Sequence, residues 1–290
     1  MPAAAERTLA LPTLLMAGIA MLAFAGNSVL CRLALADTRI DAASFTVLRI
    51  VSGAIVLWLL LSLRKRARPA SGNWAGALAL TVYAAAFSFA YIRLDTGTGA
   101  LLLFGAVQLS MLAFGLFRGE RLSPAATAGL VLATIGVLAL LLPGSSAPPL
   151  GSALIMLVSG LAWGAYSLLG RGSVDPLATT ADNFLRSVPL VLLAALPFLD
   201  RINWDTEGAL YAILSGALTS ALGYAIWYSA LRGLGAMQAA SLQLSVPILA
   251  AVAGVLLLGE PLSLRMLVAA VAVIGGLAIV LKARMSRARA

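Results

Sequence analysis

Rings and amides set inside long apolar stretches are the side chains of this sequence able to do chemistry, and the chemistry they suit is recognition of a solute without covalent change. Tyr83, Phe87 and Tyr91 follow one another at i, i+4, i+8, which lays three aromatic rings along one face of a helix. Tyr224, Trp227 and Tyr228 form a similar stripe late in the chain, and Trp163 and Tyr166 sit one helical turn apart. Asn27, Gln108 and Gln243 are neutral amides within apolar runs, where an unpaired polar group is costly and turns toward the interior of a bundle. Together these residues offer apolar walls with phenol, indole and amide hydrogen-bonding groups, a fit to a small amphipathic or zwitterionic solute. Two plainer roles compete. Tyr and Trp favour the headgroup depth of a bilayer, and Trp74 and Tyr91, close to helix ends, are expected to be such belt residues, whereas Tyr83, Trp163, Tyr166 and Trp227 lie deeper and are assigned to a cavity. The amides have a helix-to-helix alternative worth less than about 1 kcal/mol apiece; Gln238, nearer a helix end, is the weaker candidate.

Charged residues and prolines near these stretches come in repeated places. Arg49 and Arg186 each stand about two turns inside a helix, and Asp182 lies four residues before Arg186, the spacing of an intrahelical ion pair. Both arginines are shallow enough to extend toward the headgroups, so anchoring or gating is expected of them rather than binding of a solute carboxylate. Glu120 and Glu260 each sit in a Gly-Glu-x-Leu-Ser turn and are expected to cap the following helix or pair with an arginine. Pro189 and Pro247 free helical carbonyls, and Pro247, one turn from Gln243, is expected to shape the cavity or serve as a hinge. The pairs Gly160 with Gly164 and Ala250 with Gly254 permit close helix approach. All 11 acidic residues lie in loops or within about a turn of a helix end, and histidine is absent. No buried proton carrier, catalytic base, metal-ligand cluster or phosphate-binding loop is evident. An enzyme is therefore not expected, nor a cofactor or metal.

Membrane helices must position these residues. Of the 290 residues 61% are hydrophobic and only 11% charged, outside the range of soluble domains. Uncharged runs at Thr8–Cys31, Pro69–Ile92, Thr96–Phe117, Gly208–Leu231 and Gly233–Gly259 each reach the roughly 20 residues that cross a bilayer. The run Leu122–Gly170 is divided in two by the breakers between Pro143 and Pro149, and Ala42–Leu63, Thr179–Leu199 and Leu262–Leu281 each carry one arginine. Ten spans result, with short connections and no soluble domain. The net charge of +9 does not indicate nucleic acid, because the cations follow topology: Arg64, Lys65, Arg66 and Arg68, and later Lys282, Arg284, Arg287 and Arg289, fall on one side. By the positive-inside rule that side is cytoplasmic and holds both termini. The first run, with Arg7 ahead of it and Ala23-Phe24-Ala25 within it, resembles a cleavable signal peptide. An uncleaved helix is expected instead, because cleavage would leave the sixth span without a partner. The single Cys31 cannot form an intramolecular disulfide and says nothing about redox chemistry.

That partnership is a duplication. Arg118-Gly119-Glu120-Arg121-Leu122-Ser123 recurs as Leu258-Gly259-Glu260-Pro261-Leu262-Ser263 almost half a chain later, the segment Leu22–Arg32 falls on Leu161–Arg171, and Leu48-Arg49 on Leu185-Arg186. Each copy, 1–145 and 146–290, is assigned five spans. An odd number turns the second copy over in the membrane, the layout of an all-α carrier built as two inverted five-helix repeats around a central cavity. The repeated Gly-Glu-x-Leu-Ser turns, the Leu-Arg near the start of the second and seventh spans, and Pro247 in the ninth resemble the drug/metabolite transporter superfamily, specifically its EamA-like ten-helix exporters. The resemblance covers essentially the whole chain. It implies that the first, third, fourth, sixth, eighth and ninth spans surround the cavity while the fifth and tenth lie apart. One departure is Val107, which stands where the other half has Pro247. The match is most similar to bacterial inner-membrane exporters of neutral and aromatic amino acids, acting as a monomer or homodimer and using alternating access, with facilitated transport expected from the missing deep carboxylates. A drug or a nucleoside or purine exporter is the alternative substrate reading; a non-transporting scaffold or channel is the alternative class.

Overall fold

A computed structural model of the chain describes residues 11–64, 72–144, 147–170, 173–234 and 236–289. Among the described residues all regular structure is helical, and 10 helices are long and apolar enough to cross a membrane. We number them spans one to ten: Leu11–Asp37, Ala42–Ser62, Trp74–Tyr91, Thr96–Phe117, Pro124–Leu141, Leu150–Leu169, Pro176–Arg201, Thr206–Leu231, Gln238–Leu258 and Leu264–Ser286. Span one runs past the expected Cys31 to Asp37. Its extra turn carries Arg32, whose charge is met by partners in the fold and so does not end the helix at the apolar limit.

Local chemistry sets the helix ends. Asp41 accepts from the Ala43 and Ser44 amides at 3.0 and 2.9 Å to cap span two, and Asn73 accepts from Gly76 at 2.7 Å to cap span three. Asp175 and Asp205 cap spans seven and eight in the same way. The recurrent Gly-Glu-x-Leu-Ser is a stop-and-restart signal. Gly119 and Gly259 take φ values of 86° and 66°, the left-handed conformation that ends helices and suits glycine. The next amide, of Glu120 or Glu260, returns to the carbonyl of Gly115 or Gly254 at 3.0 or 3.1 Å. The serine then caps the following helix: Ser123 accepts from Ala126 at 3.2 Å and Ser263 from Met266 at 3.1 Å. Capping of the following helix therefore belongs to the serines, and each glutamate takes the other expected role, pairing with an arginine.

Three spans are irregular. Span seven contains Pro189 and ends in a 3-10 segment, Leu196–Arg201. Span eight contains a π-helical stretch, Ser215–Leu222, a form that concentrates at functional sites. Span nine breaks at Leu244 between the helical runs Ala236–Gln243 and Ser245–Leu258, because Pro247 has no amide hydrogen for the carbonyl of Gln243. Span four, with Val107 in the matching place, is continuous.

Packing follows a pattern with two halves. Span five packs on span ten, two on seven and four on nine; three packs on six and one on eight; four packs on six and one on nine; three packs on seven and two on eight. Replacing every span by the one five places away returns these same principal pairs, whereas the lighter contacts of span one with three and four have no such counterpart among the described residues. Small residues make these contacts close, since helices in lipid associate by packing and have no hydrophobic drive. A Cβ on Gly160 would strike Ala106 and the Leu103 carbonyl, one on Gly129 the Gly276 carbonyl, and one on Gly216 the Arg49 carbonyl. Spans five and ten pack chiefly on each other, while span ten also touches spans four and nine.

Candidate substrate site

Spans one, three, four and six to nine, with the end of span ten, line a cavity of about 500 Å³. Span one supplies Phe24, Asn27 and Ser28; span three Tyr83 and Phe87; span four Gln108; span six Trp163 and Tyr166; span eight Tyr224, Trp227 and Tyr228; and span nine Gln243. All ten residues assigned to a cavity from sequence thus meet in one place. Span seven also contributes, through Pro176, Thr179, Thr180 and Asn183, and span ten reaches the mouth with Leu281 and Arg284; neither was expected. Thr180, Asn183, Thr219 and Ser220 were legible only as polar residues inside apolar spans. Hydroxyls satisfied by a carbonyl four residues back, as Thr180 is by Pro176 and Thr219 by Ser215, are common in membrane helices and give no signal of their own.

The aromatic lining is a connected stack. Trp163 lies 4.7 Å from Tyr83, 5.2 Å from Tyr166 and 5.4 Å from Tyr224 between ring centroids, while Phe24 packs on Tyr224 and Trp227 at 5.7 and 6.1 Å. Such spacings are those of attractive ring pairs. At the side wall the hydroxyls of Tyr166 and Tyr228 both meet Thr180 Oγ1, at 3.3 and 3.0 Å. Asn27 Oδ1 accepts from Ser215 Oγ at 2.6 Å and Thr219 Oγ1 at 3.2 Å, both within the π-helical stretch, which holds the amide in a fixed orientation. No Asp or Glu is among the described lining residues.

Arg49 corrects the sequence reading. It does not reach for the headgroups: at 2% exposure it is the largest fully buried side chain of the described residues. Its Nη2 donates to Tyr83 Oη at 3.1 Å, and its guanidinium lies 5.3 Å from the Tyr83 ring centroid and 4.8 Å from that of Phe87. Nη1 has no hydrogen-bond partner. The close approach of span eight at Gly216 covers its backbone, and the two rings hold its head behind the cavity wall. Arg186, at the matching place, does pair with Asp182 at 3.2 Å and lies 5.3 Å over Trp74. Trp74 is exposed as a belt residue would be, but Tyr91 is wholly buried, donating to the Thr96 carbonyl at 3.2 Å.

The cavity runs from this floor toward Leu281 and Arg284, the end of the bundle that also holds the start of span one. An ionic cluster lies toward the other end of the bundle. Glu260 accepts from Arg32 Nε at 3.2 Å, from the Thr96 amide at 2.8 Å and from Thr96 Oγ1 at 3.1 Å. It thereby caps span four, whose own Asp95 makes no side-chain cap. Partial burial pushes the Glu260 carboxyl above its ordinary range, against the pull of the Thr96 hydrogen bonds and the Arg32 charge. Glu120 instead pairs with Arg284 at 2.9 Å beside the mouth.

Ten apolar helices, eight of which line a ring-walled cavity, make a multi-spanning membrane protein. Residues 150–282 match the EamA-like transporter family. An uncharacterized protein of Pseudomonas aeruginosa is 62% identical over 277 residues, which covers 95% of this chain and 96% of that one. Two uncharacterized transporters of Archaeoglobus fulgidus are 28% identical over 217 residues, covering 72% and 76% of the two chains, and 24% identical over 258 residues, covering 83% and 87%. A solved crystal structure matches with a TM-score of 0.65 at 18% identity over 94% of this chain and 98% of that one, a likeness of fold. The EamA-like match over residues 150–282 and the transporter-named relatives support the drug/metabolite transporter superfamily, and the protein is a transporter and not an enzyme.

Proposed function

We propose that this transporter exports neutral and aromatic amino acids, or small metabolites of the same amphipathic build, across a bacterial inner membrane. The observation that carries the reading is the convergence of stacked rings and neutral amides from both halves on one cavity. Rings take an apolar side chain, while Asn27, Gln108 and Gln243 offer donors and acceptors to a polar head. The absence of a carboxylate from the described lining supports facilitated movement down a gradient.

The mechanism proposed is alternating access between halves 1–145 and 146–290, acting as inverted repeats. The exchange symmetry of the packing pairs supports that relation. Arg284 marks the open end, and the Arg32–Glu260–Thr96 cluster lies toward the other. Counting cations by the positive-inside rule makes the open end cytoplasmic, with both termini on that side, so the described state faces inward. The break at Leu244 beside Gln243 and Pro247 supplies a flexible point in span nine.

Counterflow of radiolabelled phenylalanine and leucine in proteoliposomes tests the proposal. Trans-stimulated uptake is expected, with no many-fold acceleration by an imposed pH gradient when membrane potential is clamped. Uptake without trans-stimulation would identify a channel, and counterflow of nucleosides or cationic drugs in place of amino acids would move the substrate class.

A further inference from the structure

We infer that the cavity recognises a carboxylate at its closed end, through the Tyr83 hydroxyl held and polarised by Arg49. The inference rests on the cavity being the substrate path, and it narrows the proposed substrate class to solutes that carry a carboxylate or an equivalent compact anion.

Arg49 is a cation with no counter-ion. Among the described residues it enters no ion pair, its Nη1 has no hydrogen-bond partner, and 2% of its surface is exposed. An isolated charge inside a bilayer is strongly unfavourable, and when such a residue stays ionised it marks a substrate or ion path. Two ring faces and one phenol offset part of that cost. An anion would supply the rest.

The hydrogen-bond directions agree. Tyr83 Oη accepts from Arg49 Nη2, so its own proton remains to be donated, and no described residue accepts it; Tyr83 lines the cavity. Asn27 uses its Oδ1 twice as an acceptor from Ser215 and Thr219, which leaves its Nδ2 as a donor. Ser220 Oγ, also lining the cavity, is buried without a partner. At this end the free groups are donors, and the nearest full charge is positive. That set suits an acceptor-only group, which is what an ionised carboxylate is. It disfavours a cation, whose charge would add to that of Arg49. A solute bound in this way would place its carboxylate on Tyr83 and its apolar part against Trp163 and Tyr224.

The test uses the full chain in nanodiscs and three matched probe pairs: L-phenylalanine with L-phenylalaninamide, 3-phenylpropionate with 3-phenylpropionamide, and benzoate with benzamide. Affinity is read by thermal shift and by competition. In the parent protein the acids should bind about 10- to 100-fold more tightly than their amides, the range of one or two hydrogen bonds to a charged group. Arg49→Gln should remove that preference, and Tyr83→Phe should reduce it by about tenfold. A purely structural Arg49 would leave the ratio of acid to amide unchanged. Equal affinity for acids and amides in the parent protein, failure of all three acids to bind, or a preference that survives Arg49→Gln would overturn the inference. If Arg49→Gln does not fold, retention of the full preference by Tyr83→Phe overturns it. An Arg49-dependent preference for 3-phenylpropionate or benzoate, with no binding of phenylalanine, would uphold the carboxylate site and sink the amino-acid reading.

Discussion

Arg49 and Arg186 hold matching places in the two halves of the chain, and they have opposite surroundings. Four residues before Arg186 stands Asp182, which pairs with it at 3.2 Å near the surface. Four residues before Arg49 stands Phe45, wholly buried, so no carboxylate comes with the helix. The first guanidinium must then take its partners from other spans, and it finds Tyr83 and Phe87 on span three. The two glutamates of the repeated turn diverge in the same manner. Glu260 is drawn into a cluster that caps span four and neutralises Arg32, while the half-exposed Glu120 makes one ion pair with Arg284. The places recur in the two halves and the roles do not: Arg49 and Glu260 are the more enclosed members, held by partners from other spans, whereas Arg186 and Glu120 form pairs between partly exposed groups.

The contrast can be broken most severely at the glycines that hold the halves together. Gly216→Ala would drive a methyl group into the Arg49 carbonyl, backbone that cannot yield, and should cost about 3 kcal/mol. Loss of monodisperse protein in a size-exclusion profile would register it. At Gly76, the matching glycine of span three, an added Cβ meets only the Asn183 amide group, a side chain able to shift. Gly76→Ala should cost about 1 kcal/mol, so equal damage from the two would contradict the asymmetry.

Next in size is the ionic cluster. Glu260→Gln leaves Arg32 without its principal partner and weakens the cap on Thr96, a loss of about 2 kcal/mol, whereas Glu120→Gln removes a pair between partly exposed groups worth less than about 1 kcal/mol. Thermal melts of the two variants should differ by several degrees in that order. Trp163→Ala removes the ring at the centre of the aromatic stack. It should weaken whichever solute the cavity takes by about 1 kcal/mol, near fivefold in Kd, measured by titration of the purified protein. Smallest of all, Arg186→Met gives up a partly exposed ion pair at less than about 1 kcal/mol and should leave transport within about twofold. A transport defect there as large as that of Arg49→Gln would show the two halves to be working alike.

Much of this was present in the chain as written. Ten apolar runs of spanning length, the breakers between Pro143 and Pro149, and the doubled Gly-Glu-x-Leu-Ser determined the number of helices and where they stop, because burial of backbone polar groups in lipid leaves the helix as the solution for such runs. The residues assigned to a cavity were also legible, since rings and amides deep in apolar helices turn away from lipid. Depth and partnership were not. That Tyr91 is core and Trp74 is not, that Ser123 and Ser263 cap while Glu260 closes a distant helix end, and that spans seven and ten reach the cavity all depend on which helices touch. The burial of Arg49 is the clearest case: its distance along span two is a property of sequence, but the solvent it is denied is removed by span eight at Gly216 and by the rings of span three. Hydrophobic periodicity determines what must leave water, whereas only the assembled bundle decides which side chain stands beside an isolated charge.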